Sequence, residues 1–330
     1  MPDPLLSVDD LRVVFPTPHG EVHAVSGVSF DVPRGGIFGI VGESGCGKTV
    51  TGRSILRLVP PPGRITGGRI LFDGTDLLGA SEAEMRQIRG RRIAMVFQDP
   101  ATALNPLFTI GAQLEAIMKR HKIASGTELR DREMEILADL GLPDPADLLK
   151  TYPHQLSGGM QQRAMIAMAL STEPDLIIAD EPTSALDVTI QSQILELLVR
   201  LREERGVTII MITHDLGVVA ETCDEVAVFY LGKIAEQGSV RDIFHRTQHP
   251  YTSGLLAALP NPQRWGKELM AIAGSVPTNI DILPGCPFEP RCPERMEICD
   301  QTMPLEVEVG SRHRVSCYLY TREQALEAGV

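Results

Sequence analysis

The run Gly42-Glu43-Ser44-Gly45-Cys46-Gly47-Lys48-Thr49 constrains this chain more than any other segment. A glycine, four residues, then Gly-Lys-Thr is the P-loop pattern. The apolar run Ile37–Val41 before it reads as a buried strand, and Thr49–Leu58 after it is compatible with a helix. Strand, glycine loop and helix together distinguish a phosphate loop from an ordinary glycine turn. The glycines let successive backbone N–H groups turn inward, where a Cβ would obstruct a phosphate oxygen. The helix N-terminus adds unpaired donors and a partial positive charge. In such a loop Lys48 reaches the β- and γ-phosphates and the Thr49 hydroxyl ligates Mg²⁺.

Further segments carry chemistry. Leu156-Ser157-Gly158-Gly159 precedes the helix-compatible run Arg163–Leu170. Ser157 suits an N-cap, and Gly158 and Gly159 leave the helix start open to a ligand. One P-loop already cradles one triphosphate, so a second such helix start needs a reason. Leu176–Asp180 reads as a buried strand with Asp180 and Glu181 at its C-terminal end, where ligands bind in parallel α/β sheets. Asp180 is placed to hold Mg²⁺, directly or through water, and Glu181 to act as general base on a water. The plain alternative is a pair of solvated acids. His214 ends the β-branched run Val207–Thr213; a lone histidine there is commonly structural. Gln98 follows Ile93–Phe97. Phe15 ends Leu11–Phe15 and by composition belongs to a core; Pro16–Gly20 after it reads as a turn that extends the loop.

In order and spacing these segments resemble the ATP-binding cassette (ABC) family. The resemblance implies a nucleotide cradle of Gly42, Ser44, Gly45, Cys46, Gly47, Lys48, Thr49 and Val50. It implies that Ser157-Gly158-Gly159 is the signature that caps ATP held by the P-loop of another subunit. Gln98 resembles the Q-loop glutamine, which senses Mg²⁺ and water. Pro182–Asp187 resembles the D-loop, with Asp187 at the nucleotide site. His214 resembles the switch histidine at the γ-phosphate, and Phe15 the aromatic that stacks on adenine.

The expected fold is α/β: a P-loop ABC ATPase core with an antiparallel β part, a helical subdomain at about 99–155 and a small irregular C-terminal extension. Strand patterns stop after Gln98, and helical ones such as Ile110–Lys119 and Glu128–Leu140 take over. Alternation of strand and helix resumes at Leu156 and fades after Ser239, so the cassette is expected over 1–238 and the extension over 239–330. With 31 basic against 43 acidic side chains the net charge is −12, which argues against nucleic acid as partner. No apolar stretch approaches the roughly 18–20 residues that span a bilayer. The start, Met1-Pro2-Asp3-Pro4, lacks the basic and apolar regions of a signal peptide. The chain is therefore expected in the cytosol, with any membrane role reached through a partner; the cytoplasmic face of the inner membrane is what the family resemblance implies.

Four of six cysteines fall in the tail: Cys286, Cys292, Cys299 and Cys317, with five, six and seventeen residues between successive members. A reducing cytosol disfavours disulfides. Zinc sites use pairs about two to four residues apart, which these gaps match poorly, and ferredoxin spacing is absent too. From the residues alone an iron–sulfur cluster, Zn²⁺ and no metal all stay open. From His249-Pro250-Tyr251 onward the tail resembles the extension of dipeptide and oligopeptide importer ATPases. That likeness implies a [4Fe–4S] cluster on the four cysteines. It also implies two membrane permeases, a second homologous ATPase subunit or a second copy of this one, and an extracytoplasmic solute-binding protein. The expected function is ATP hydrolysis energising peptide import. The same subfamily importing nickel, a soluble ABC ATPase acting on ribosomes or DNA, and a metal-dependent sensor with a vestigial ATPase are the alternatives. Two cassettes or long coiled coils, marks of the soluble class, are absent from the sequence, and a vestigial ATPase would need broken motifs.

Overall fold

Buried and exposed residues alternate near the N-terminus, and the segment folds as a hairpin of β1 (Leu6–Thr17) and β2 (Gly20–Val32). Leu6 and Val8, then Leu11 and Val13, turn inward; each pair keeps the two-residue period of a strand, and the phase shifts at the irregularity between Val8 and Leu11. The computed structural model describes residues 3–184, 186–259, 272–277 and 284–320. β3 (Ile37–Val41) is buried along its whole length and delivers the chain to the glycine loop. α1 (Lys48–Ile55) follows and ends earlier than the sequence suggests, because Arg57 takes a left-handed φ of 53°. β4 (Arg64–Phe72) and the short β5 (Thr75–Asp76) complete an antiparallel sheet in the order β2-β1-β4-β5.

This sheet shortens the turn expected at Pro16–Gly20 to Pro18–His19. β1 runs through Pro16 and Thr17, and Phe15 pairs with Val22. β4 reaches only as far as Val14. Pro16 therefore sits in a two-stranded arm, where one missing N–H breaks no second ladder.

The next stretch is helical, then parallel. α2 (Glu82–Ile88) opens with a capping box between Ser81 and Glu84. After β6 (Ile93–Val96) come α3 (Pro100–Ala103), α4 (Ile110–Arg120), α5 (Thr127–Asp139), α6 (Pro145–Leu148) and α7 (Gly158–Leu170). β7 (Leu176–Asp180), α8 (Val188–Arg205) and β8 (Thr208–Thr213) follow. β6, β7 and β8 pair in parallel, and their buried runs of Ile, Leu and Ala suit strands covered on both faces.

The chain then builds α9 (Leu216–Thr222), β9 (Glu225–Tyr230), β10 (Lys233–Ser239), α10 (Val240–His245), α11 (Pro250–Ala257), β11 (Glu306–Gly310) and β12 (His313–Ser316). β9 pairs in parallel with β3, and β10, β12 and β11 extend that sheet antiparallel. The chain divides into two compact units: Met1–Pro33, Ile37–Leu78 and Thr213–Val330, and Arg34–Gly36 with Gly79–Ile212.

The tail is less irregular than its composition suggests. β12 pairs with β10 through Glu236 opposite Val315 and Gln237 opposite Arg314. The fully buried Glu236 carboxylate accepts the N–H groups of Gln248 at 2.8 Å and His249 at 3.0 Å, and lies 2.8 Å from His313 Nε2. A buried carboxylate demands such partners, and here two separate segments, 248–249 and β12, supply them. Val41 of β3 shares one apolar cluster with Val226, Val228, Tyr230, Tyr251 and Phe288. The strand that leads into the glycine loop is thus cored partly by the tail.

Candidate functional site

Gly47 is the N-cap of α1 in left-handed conformation, φ 102°, with no side-chain cap. A Cβ there would overlap the carbonyl oxygen of Ala24 on β2. The glycine is thus demanded by the protein's own backbone, before any phosphate is considered. Gly45 differs: at φ 78° it is exposed, and a Cβ would point into open space. That opening is what a phosphate cradle needs. The Gly232 N–H donates to the Cys46 carbonyl at 2.9 Å and pins the loop from the β9–β10 turn.

Lys48 is buried. Its Nζ donates to the carbonyls of Gly42 at 2.7 Å and Glu43 at 2.9 Å, with Cys46 Sγ at 3.6 Å. Burial raises the Cys46 thiol above its ordinary pKa, partly offset by the Lys48 charge. Cys46 is therefore a packed thiol and not a reactive one. Ser44 is exposed, and Thr49 and Val50 occupy the first turn of α1. Phe15 is half-buried with its ring against the backbone of Gly63.

In the other unit Asp180 ends β7 and is 1% exposed. Glu181 follows with φ 47°, a left-handed backbone unusual for a non-glycine residue. Three contacts hold it there. The Glu181 N–H donates to the Ile212 carbonyl at 2.8 Å, and the Glu181 carbonyl accepts from the Ser184 N–H at 3.1 Å and the Ser184 hydroxyl at 3.0 Å. The Gln98 amide donates from Nε2 to Glu181 Oε2 at 2.9 Å. Two residues singled out separately in the sequence are thus joined by one bond. Strain of this kind, over-determined by its surroundings, concentrates at functional sites.

Ser157 caps α7, its Oγ accepting from the Met160 N–H at 3.4 Å. A Cβ on Gly158 would meet only Leu186 Cδ2 at 3.9 Å, whereas one on Gly159 would meet Ile190 Cγ2 at 2.8 Å. Gly158 is open, and Gly159 is small so that α8 can approach. Asp187 caps α8, with Oδ1 accepting from the Ile190 N–H at 3.0 Å, and the next residue, Val188, is 80% exposed. His214 directly follows β8 and is exposed.

The four tail cysteines occupy one neighbourhood. The Cys286 N–H donates to the Cys299 carbonyl at 2.7 Å. Burial pushes the Cys286 thiol up to about 12 and Cys317 up to about 11 and raises Cys292 as well, and each of the three feels Cys299. Yet among the described residues no three His, Cys, Asp or Glu side chains are arranged to hold a metal ion. Cys286 and Cys292, partly buried, pack as small apolar groups against the Tyr230–Phe288 cluster.

The sequence does not reveal who holds Glu43. Arg291 grips its carboxylate, and the Tyr251 hydroxyl accepts its N–H. The one available signal is a carboxylate inside a loop built for anions.

An ABC transporter family model matches residues 25–184, and the oligopeptide/dipeptide transporter C-terminal region matches 235–299. The dipeptide transport ATP-binding protein DppD of Bacillus subtilis is 53% identical over 316 residues, covering 96% of this chain and 94% of that protein. The oligopeptide transport ATP-binding protein OppD of Salmonella typhimurium is 47% identical over 314 residues, 95% of this chain and 93% of its own. Among solved structures, a dimeric ATP-binding cassette in a post-hydrolysis state with ADP and Pi aligns with a TM-score of 0.65 and 29% identity. It covers 72% of this chain and 99% of its own. Among the described residues no helix is long and apolar enough to cross a membrane.

Proposed function

This chain belongs to the ATP-binding subunits of dipeptide and oligopeptide ABC transporters, and on that premise we propose how its residues divide the hydrolysis of ATP that energises peptide import. The observation that carries the proposal is the Gln98–Glu181 bond at a backbone held in left-handed conformation. Lys48 exchanges its loop carbonyls for the β- and γ-phosphates, and the open face at Gly45 admits their oxygens. Thr49, Asp180 and Gln98 offer hard oxygen donors suited to Mg²⁺, which when bound neutralises charge on the phosphate oxygens. Gln98 orients the Glu181 carboxylate. Glu181 then takes a proton from water as the water oxygen bonds to the γ-phosphorus and the β–γ bridging oxygen departs on ADP. His214 supports the γ-phosphate and Phe15 packs against adenine.

Ser157, Gly158, Gly159 and Asp187 serve the nucleotide of a second cassette, a copy or a homologue. The dimeric relative in its ADP- and Pi-bound state supports this assignment. The partners in this reading are two membrane permeases and an extracytoplasmic binding protein, with this chain on the cytoplasmic face of the membrane; the likeness to dipeptide and oligopeptide transport ATP-binding proteins supports it. Peptide is favoured over nickel because DppD and OppD are named for dipeptide and oligopeptide transport.

Glu181→Gln checks the proposal. Turnover should fall about 10²- to 10⁴-fold, the usual contribution of a general base. ATP binding should persist, and the variant should run as a dimer with ATP in size-exclusion chromatography. Turnover near that of the unsubstituted chain would remove Glu181 from the role.

For the tail, four neighbouring thiols supply the donor chemistry of an iron–sulfur cluster, which would draw the sulfurs inward and staple a segment with little apolar core of its own. No step of hydrolysis runs through it. Iron and acid-labile sulfide in protein purified without oxygen check this; zinc alone would replace the cluster with Zn²⁺.

A further inference from the structure

Glu43 is the second residue of the glycine loop, and an anion-binding loop that carries its own carboxylate has an electrostatic problem. The carboxylate is only 27% exposed, so water screens it poorly. The solution comes from 248 residues away. Arg291 donates through Nη1 at 2.7 Å and Nη2 at 3.0 Å, one to each Glu43 oxygen. Its side chain is 5% exposed. Three further contacts hold the guanidinium: Nε donates to the Ala273 carbonyl at 3.0 Å, Nη1 lies 3.3 Å from the Tyr230 hydroxyl, and Cζ stands 5.8 Å from the Tyr230 ring centre. A planar fork with its Nε, Nη1 and Nη2 all engaged is a geometry in which arginine is stiff.

The backbone of Glu43 is held as well. Its N–H donates to the Tyr251 hydroxyl at 3.0 Å. Tyr251 is fully buried and packs its ring against Tyr230 at 4.6 Å and Phe288 at 5.2 Å. The Glu43 carbonyl, in turn, is one of the two that receive Lys48 Nζ. One residue is therefore gripped at its side chain and N–H by the tail, and its carbonyl holds the lysine that meets the phosphates.

We propose that Arg291 and Tyr251 are positioning residues for the glycine loop: from the C-terminal segment they neutralise and immobilise Glu43, and so set how tightly the loop holds MgATP. This rests on the assignment of residues 42–49 as the phosphate cradle. Losing Arg291 leaves an unpaired carboxylate beside the triphosphate and frees the backbone that presents Lys48. The tail thereby acts on nucleotide affinity without touching nucleotide. Arg291 adjoins Cys292, so the fold of the cysteine segment bears on the same grip.

The test measures MgATP affinity, kcat and KM on the purified full chain. Arg291→Gln should weaken binding roughly ten- to a hundred-fold, the size of one charge-assisted contact. KM should rise while kcat at saturating ATP stays within about two-fold, since Arg291 touches no reacting atom. The double variant Glu43→Gln with Arg291→Gln should bind more tightly than Arg291→Gln alone, because the orphaned charge is gone. A purely structural role for Arg291 would leave the double variant as weak as the single. Tyr251→Phe, which keeps the ring, should weaken binding about two- to ten-fold and carries the test if Arg291→Gln does not fold. Lys48→Ala separates the two levels. Unaltered binding there would remove the cradle and this inference together. Weakened binding in Lys48→Ala beside unaltered binding in Arg291→Gln and Tyr251→Phe would overturn the inference alone, as would a double variant no better than Arg291→Gln.

Discussion

Two helices in this chain start at glycine-rich turns, yet α1 and α7 solve the problem of their unpaired N–H groups in opposite ways. α1 has a left-handed glycine as N-cap and no side chain over its end. The loop before it is pressed against backbone at Ala24 and Gly232. α7 has an extended serine as N-cap, which satisfies the Met160 N–H from within, and its start is exposed. The first end keeps its donors for a ligand and takes its shape from tertiary contacts. The second is locally complete and exposed, which fits the role proposed for it at the nucleotide of a second cassette. Similar composition thus has different physical grounds: in the loop glycine is imposed by backbone approach and positive φ, and in the signature by clearance for Ile190.

That contrast can be broken by substitution. Gly47→Ala should have the largest effect, about 3 kcal/mol or more, since strained φ and overlap with the Ala24 carbonyl act together. Urea unfolding should show it, with MgATP binding lost in parallel. Gly159→Ala should cost about 1–3 kcal/mol, because its Cβ would stand 2.8 Å from Ile190 Cγ2; adding Ile190→Val should return part of that stability, and no recovery would mean that α8 is not the obstacle. Ser157→Ala should be mildest, about 1 kcal/mol for a lost cap, with MgATP binding to a single subunit unaltered. Equal losses of stability in Gly47→Ala and Ser157→Ala would erase the distinction between an end shaped by the fold and one capped from within.

The regularities legible beforehand are those governed by neighbours in sequence. The buried strand Ile37–Val41, the cap at Ser157 and the acids closing β7 each depend on contacts within a few residues. Steric rules and local hydrogen bonds decide such features, so residue type and spacing suffice. The extension looked irregular because its order is not local. β12 is only four residues long, and it exists because β10 offers an edge and Glu236 needs His313. The strand through Pro16 was obscured likewise, since proline's tolerance depends on where a neighbouring strand stops.

Sequence alone determined the chemistry present: which loop can cradle phosphate, which acids can serve water and metal, and which thiols lie in the tail. Tertiary structure alone decided which of these groups meet. It set Gln98 on Glu181 and brought Arg291 and Tyr251 to Glu43. The physical reason is that a hydrogen bond or ion pair has a range of a few ångströms whatever the length of chain between its partners, while a residue's type records only that a partner is needed. A buried charge announces that need; only the packed fold names the side chain that meets it.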